Sequence, residues 1–399
     1  MNRREFLQAG AAVAATSGMT ARSYAAIVGA NSRVQLGIAG LGRRAVVVMR
    51  GGFTKDARVQ VAGLSDVYDK QAQDFQKKFN LASVPVDVDY RRLIDRKNID
   101  AVFIATPDHL HVQMAHDTLA AGKHTYLEKP TLHRWHERET LVKAAADHPK
   151  QVLMCGMQQR SGAHYKRIKQ EYFDTGKLGD VVLVRAIWNN FSWQRRVIPN
   201  EPKPAGLNWD LFLGPAPKVP YETARYSSWR SYHDYGNGVL ADILTHWVDV
   251  AQWMLNDDKP QQAAALGGDY QLHDGRDNPD TVSAIIKYGK WNLNFESSVL
   301  SIRDQKPPSV FFEGTEGTLD VTRGGFTFSP NKGEETTFKS GEDLEQAHVK
   351  NFIDAVTTGS SLNAPLSVGL AATVPVEMAL ASYWGKKIAT PKDLDGTNV

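Results

Sequence analysis

Cysteine is almost missing from this chain. Cys155 is alone among 399 residues, so no internal disulfide can form and a disulfide-stapled fold is excluded. A lone thiol could still be a nucleophile, but Cys155 closes the apolar run Val152-Leu153-Met154, which favours a buried strand end. Excess charge is small as well: 47 Lys and Arg against 44 Asp and Glu leave +3, too little for a nucleic-acid footprint. No stretch past the N-terminus approaches ~20 uninterrupted apolar residues, which argues against a membrane-embedded domain. Metal ligands are also too few. Asp242-x-x-x-His246 and His109-x-His111 supply two groups each, short of a full set, so no metal is expected. With 42% hydrophobic and 23% charged residues, the expectation is a soluble globular protein long enough for two domains.

The N-terminus carries the first positive signal. Asn2-Arg3-Arg4-Glu5-Phe6-Leu7 precedes a small apolar stretch at 9–15, and Ser23-Tyr24-Ala25 offers a small-x-small cleavage site. This is the pattern of a twin-arginine leader over residues 1–30. It predicts a protein that folds in the reducing cytoplasm, engages the Tat translocase and is exported, for example to the periplasm. A chain with one Cys suits that order of events.

Residues 34–39 read as a buried strand that enters Gly40-Leu41-Gly42-Arg43-Arg44-Ala45, and a helix continues from Ala45 to 49. Such a Gly-x-Gly-x-x-Ala turn in a strand-turn-helix setting suits a dinucleotide: Gly40 permits the tight turn, and Gly42 lets a pyrophosphate approach the backbone. The phosphates would rest on the helix N-terminus. A second strand at 59–64 ends near Asp66, 24 residues past Gly42, where a carboxylate would accept hydrogen bonds from an adenosine ribose and repel a 2′-phosphate. NAD is thereby favoured over NADP, with a helix N-cap as the plainer role for Asp66. Arg43 and Arg44 could reach a phosphate or stand solvated. Strands at 101–105, 125–127 and 152–155 alternate with helices at 70–79, 90–96, 109–121 and 135–147, which predicts a doubly wound parallel sheet over 31–155.

Further motifs follow in order: Ala105-Thr106-Pro107-Asp108-His109-Leu110-His111, Ala121-Gly122-Lys123-His124, Glu128-Lys129-Pro130, Asn208-Trp209-Asp210-Leu211-Phe212-Leu213-Gly214-Pro215, Asp242-x-x-x-His246 and Glu313-Gly314-Thr315-Glu316-Gly317. Together they resemble the Gfo/Idh/MocA oxidoreductases, a family that includes glucose-fructose oxidoreductase and inositol dehydrogenase. The resemblance implies an α/β Rossmann domain followed, over 156–399, by an α+β domain with an open, mostly antiparallel sheet. It also implies an active site between the two and assembly as a homodimer or homotetramer. Strand composition at 181–187, 282–287, 293–299 and 310–312, with turn glycines Gly179, Gly289 and Gly314, agrees. Residues 345–357 and 370–383 read as helices, the latter kinked or broken at Pro375.

By the same resemblance Lys129 hydrogen-bonds the hydroxyl being oxidised and stabilises the developing alkoxide. Asp242 and His246, four apart on a helix, share one face; His246 reads as the base, competent near neutral pH, and Asp242 as its partner, with Asp249 structural. Nucleotide contacts are expected from Gly40, Leu41, Gly42, Arg43, Arg44, Asp66, Thr106, Pro107, His109, His111, Glu128 and Lys129. Substrate contacts are expected from Gln159, Arg160, Tyr235 and Asn237, beside Gln158. His133 and His136 read as exposed helix positions. Trp188, Trp193, Trp209, Trp229, Tyr226, Tyr232 and Tyr235 could stack on sugar faces or fill a core. The expected activity is an exported oxidoreductase that holds and recycles NAD while acting on a secondary hydroxyl of a sugar, polyol or glycoside. An NAD-dependent glycosidase using transient oxidation and elimination is the alternative, and a non-catalytic sugar or nucleotide sensor a third. Thr245-His246-Trp247-Val248-Asp249-Val250 departs from the Thr-His-Gly-Leu-Gly-Pro pattern of some such glycosidases.

Overall fold

The computed structural model describes residues 33–189, 198–300 and 308–395; the leader and Trp193 lie outside them. Six parallel strands open the chain: β1 Val34–Ala39, β2 Val59–Ser65, β3 Val86–Asp87, β4 Ala101–Ile104, β5 His124–Leu127 and β6 Leu153–Cys155. They lie in the order β3-β2-β1-β4-β5-β6. The run Ala101–Ile104 is buried at every position because helices cover both faces of the sheet, so its side chains cannot alternate apolar and polar. The order reverses between β1 and β4, which leaves a crevice beyond their carboxyl ends. β3 escapes the sequence reading because two residues carry no period.

The second sheet contains β7 Val181–Ile187, β8 Gln262–Gly268, β9 Thr281–Lys287, β10 Asn292–Ser298, β11 Ser309–Gly314, β12 Gly317–Thr322, β13 Gly325–Pro330 and β14 Thr336–Lys339. Its order is β14-β13-β12-β11-β7-β10-β9-β8, antiparallel except where β7 meets β10. In β9, Val282, Ala284 and Ile286 point into the core while Ser283, Ile285 and Lys287 face out. The helices Thr245–Leu255 and Leu366–Gly385 contribute to that core. β8 was not anticipated, since Gln-Ala-Ala-Ala-Leu-Gly-Gly holds no β-branched residue.

The helix Leu366–Gly385 is long and apolar enough to cross a membrane by length and composition, and most of it is buried in this core. The break expected at Pro375 is corrected: the helix runs through it. Proline cannot donate to the carbonyl one turn back, and Gln252 Nε2 donates to Ala371 O instead, at 3.2 Å.

After the second sheet the chain returns to the first. The helix Leu344–Thr358, capped by Asp343, buries Val349, Phe352 and Ile353 in the same core as β1. A Cβ on Gly52 would stand 2.4 Å from Val349 Cγ2, so only glycine admits this approach. The packing carries Glu345 to the edge of the crevice.

Candidate active site

A cavity of about 890 Å³ follows the crevice between the sheets. At one end Gly40 makes the turn after β1 with φ +83°, and a Cβ there would lie 2.7 Å from Ala105 O. Gly42 caps the helix Arg43–Gly51, and no protein atom lies within 4 Å of where its Cβ would be. Thr106 Oγ1 is buried without a partner on a residue lining the same space. An open cradle at a helix N-terminus, with an unpaired hydroxyl beside it, fits a dinucleotide.

Asp66 lines this end. Its Oδ2 accepts from Leu41 N at 2.8 Å and its Oδ1 from Tyr68 N at 2.9 Å. The helix Asp69–Phe79 is capped by Tyr68, so Asp66 is not its N-cap. Burial pushes the Asp66 carboxyl up to about 6 against the pull of those two N–H groups. A ribose diol donates best to an ionised carboxylate. The NAD affinity of nucleotide-free protein is therefore expected to fall by up to about tenfold per pH unit below that value, and Asp66→Asn to flatten the profile. Titrations that give wild type and D66N parallel pH dependence would contradict this.

Arg44 is neither solvated nor free. Its Nε donates to Glu128 Oε1 at 2.6 Å, and its two terminal nitrogens grip Glu345 at 2.7 and 2.9 Å. Gln158 also reaches Glu345 Oε1, at 3.3 Å. Arg43 is exposed on the cleft wall, and Pro107 and Glu128 line it too.

Several expected contacts are corrected. The Leu41 side chain is buried in the first core, leaving its N–H to Asp66. His109 Nε2 bonds Phe212 O at 2.9 Å; His111 sits between Pro130 O at 2.7 Å and Thr106 O at 3.1 Å. Burial holds both imidazoles near 4, so they are neutral braces for the loop and do not line the cleft. His133 is likewise buried, against His233 O, whereas His136 is exposed. None of the four expected substrate contacts lines the cavity. Gln159 and Tyr235 are buried, Asn237 donates to His133 O at 2.8 Å, and Arg160 grips Asp249 at 2.7 and 2.9 Å over the Trp253 ring. The junction that was expected to bind substrate is thus filled by its own packing, and only Gln158 of that segment reaches the cleft.

At the other end Lys129 Nζ donates to Asp242 O at 2.9 Å and to the Asp242 carboxylate. Arg230 Nε adds a contact at 3.3 Å. Burial alone would raise the Asp242 carboxyl, but Lys129 and Arg230 hold it well below the usual range, so it is ionised. Asp242 lies in the π-helical turn Leu240–Leu244 and is committed to Lys129, not to His246 as the spacing suggested. Such turns gather at functional sites. His246 is held neutral by burial and by the nearby charges of Arg323, Lys129 and Arg44, which also makes it a weaker base than expected. Its Nε2 lies 3.2 Å from an Arg323 terminal nitrogen, Nδ1 has no partner, and Trp188 stacks at 5.9 Å and 23°. Asp108 is pushed up to about 8 by burial and therefore holds a proton at neutral pH.

Trp188, Tyr226 and Trp229 wall the cleft; Trp209, Tyr232 and Tyr235 instead form a core with Phe212. Cys155 is fully buried, its thiol pushed up to about 12 by burial. Among the described residues no three His, Cys, Asp or Glu side chains gather as a metal site. The sequence reading missed Glu345, Arg230 and Arg323. None of them stands within a motif, and the fold brings each to the cleft.

Two family models match the chain. One, the Gfo/Idh/MocA oxidoreductase family's NAD-binding Rossmann fold, covers residues 34–156, and the other, that family's C-terminal alpha/beta domain, covers 158–381. Levoglucosan dehydrogenase of Pseudarthrobacter phenanthrenivorans is 27% identical over 42% of this chain and 36% of its own. The uncharacterized oxidoreductase YrbE of Bacillus subtilis is 26% identical over 70% and 69%, and inositol 2-dehydrogenase of Salmonella typhimurium 23% over 56% and 55%. The chain therefore spans between about a third and two thirds of these relatives' lengths. Among solved structures, levoglucosan dehydrogenase in complex with NADH superposes with a TM-score of 0.71 at 17% identity, covering 90% of this chain and 99% of that one. A putative myo-inositol dehydrogenase from Sinorhizobium meliloti gives 0.65 at 19%, with the same coverage. At such identities the likeness is one of fold.

Proposed function

The chain belongs to the Gfo/Idh/MocA oxidoreductase family, and from that premise we propose that it acts on a secondary hydroxyl of a sugar, polyol or glycoside with an NAD retained through successive turnovers. One observation carries the reading: the Lys129–Asp242 pair lines the same 890 Å³ cleft whose far end is the Gly40–Gly42 turn and Asp66. Names among the relatives, for levoglucosan and for inositol, support a polyhydroxylated ring.

The dinucleotide would be held by Gly40, Gly42 and Asp66, with Thr106, Glu128 and Lys129 toward its reactive end. Bound NAD supplies the hydride acceptor or donor. Lys129 Nζ donates to the substrate oxygen and stabilises the alkoxide that forms as the hydroxyl loses its proton. Ionised Asp242 keeps Lys129 aimed. Trp188 and Trp229 offer flat apolar walls to ring C–H faces and keep water from the reacting carbon.

Export and retention belong together. Residues 1–30 have the leader pattern of proteins exported after folding, and no free nicotinamide pool waits outside, so the cofactor would travel inside the protein and be restored there. Exposed Val182, Leu266 and Ile285 on the strands of the second sheet support assembly of copies through that sheet. To test the activity, the protein is incubated with sugars and polyols deuterated at each carbinol carbon. Transfer of that deuterium to the bound nucleotide is expected; deuterium that stays on carbon across the panel would overturn the reading.

A further inference from the structure

Arg323 and Gly324 form the two-residue turn between β12 and β13. Turn residues ordinarily face water, but this turn is pinned from beneath: Thr322 O accepts from His164 Nε2 at 3.1 Å and from Tyr165 Oη at 3.2 Å. The Arg323 guanidinium consequently enters the cleft wall, 5.0 Å over the Trp188 ring, with one terminal nitrogen on His246 Nε2. Its Nε is buried with no partner. In the same cleft Lys129 and Arg230 share Asp242, and Arg44 takes Glu128 and Glu345. Among the described residues Arg323 has no carboxylate within ion-pair distance.

A desolvated guanidinium is unfavourable until an anion completes it, and its planar fork matches a carboxylate. We infer that Arg323 is an anion-recognition subsite of the cleft and that the substrate is a sugar acid, its carboxylate on Arg323 and its reacting hydroxyl on Lys129. This rests on the hydroxyl-oxidising reading of the same cleft. A consequence for His246 follows. A guanidinium only donates, so Nε2 accepts from Arg323 and the ring proton sits on Nδ1. The imidazole's one lone pair is therefore occupied. A substrate carboxylate that draws Arg323 to itself releases Nε2 to take the hydroxyl proton, while oxidised NAD, when bound, would supply the acceptor for the hydride of the carbinol carbon as C–O becomes C=O. Recognition of the acid and readiness of the base are one event.

The test compares matched pairs, each neutral sugar or methyl glycoside against its uronic acid, in wild type, Arg323→Met and Arg323→Lys, by kcat/KM and by calorimetric binding, with bound NAD as the folding control. Wild type should prefer the acid by at least about tenfold. R323M should lose about ten- to a hundredfold on the acid alone, and R323K should recover part of it. Indifference of wild type to the carboxylate, or equal losses on both members in R323M, would overturn the inference. So would preference for a 6-sulfated sugar over the uronic acid. If no sugar reduces the bound NAD, the oxidoreductase reading fails while the calorimetry still decides the subsite: uronate binding lost in R323M supports it, and binding that ignores the substitution contradicts it.

Discussion

Lys129→Met should lower kcat by about a hundred- to ten-thousandfold while leaving the nucleotide in place. Lys129 is the cation that lies against Asp242 in the cleft, and its hydrogen bonds go to Asp242 rather than to any element of the nucleotide turn. Its loss therefore strikes the reacting oxygen and spares the Gly40–Gly42 cradle. The same change leaves Asp242 with Arg230 as its nearby cation, so burial, which opposes ionisation, gains ground and the carboxyl moves upward. Lys129→Arg should not restore activity, because a planar fork does not reproduce a compact ammonium at one oxygen. Steady-state kinetics on the NAD-loaded variant check this, and turnover within a few-fold of wild type would show that Lys129 is not catalytic.

The second large effect falls on stability. Arg44 ties the first helix of the nucleotide sheet to Glu128 after β5 and to Glu345 on the helix that returns from the second sheet. Arg44→Met leaves two carboxylates without their cation in a largely desolvated place, a change that typically costs about 3–5 kcal/mol. Denaturation of nucleotide-free protein should show the loss. Adding Glu345→Gln to Arg44→Met should recover part of it, since one uncompensated charge is removed. A variant as stable as wild type would mean that solvent, not Arg44, satisfies those carboxylates.

Much of the first half was legible in the sequence because its signals are local. Strand β1, the glycine turn and the following helix need only adjacent residues, and β1 runs over Val34–Ala39 as read. The second half was harder. The Ala- and Gly-rich β8 takes its strand state from its sheet neighbour, not from its own composition, whereas β12, β13 and β14 carry Thr, Val and Phe suited to strands and were simply left unread. The site divides the same way. Lys129 and Asp242 stood in motifs, and the fold brings them together. Spacing misled the pairing of Asp242 with His246, because four-residue spacing cannot reveal a lysine 113 positions away that competes for the carboxylate. His109 and His111 were expected to border the nucleotide, but the one N–H of a neutral imidazole serves equally well to tie a buried carbonyl. Arg323 and Glu345 had no signature at all; a hairpin turn and a returning helix deliver them.

The nucleotide content of the protein recovered from the exported fraction tests the central claim most directly. Denaturation should release close to one NAD per chain, and incubation with substrate beforehand should change its redox state. Protein that emerges empty and binds added NAD only weakly would contradict a carried, internally recycled cofactor.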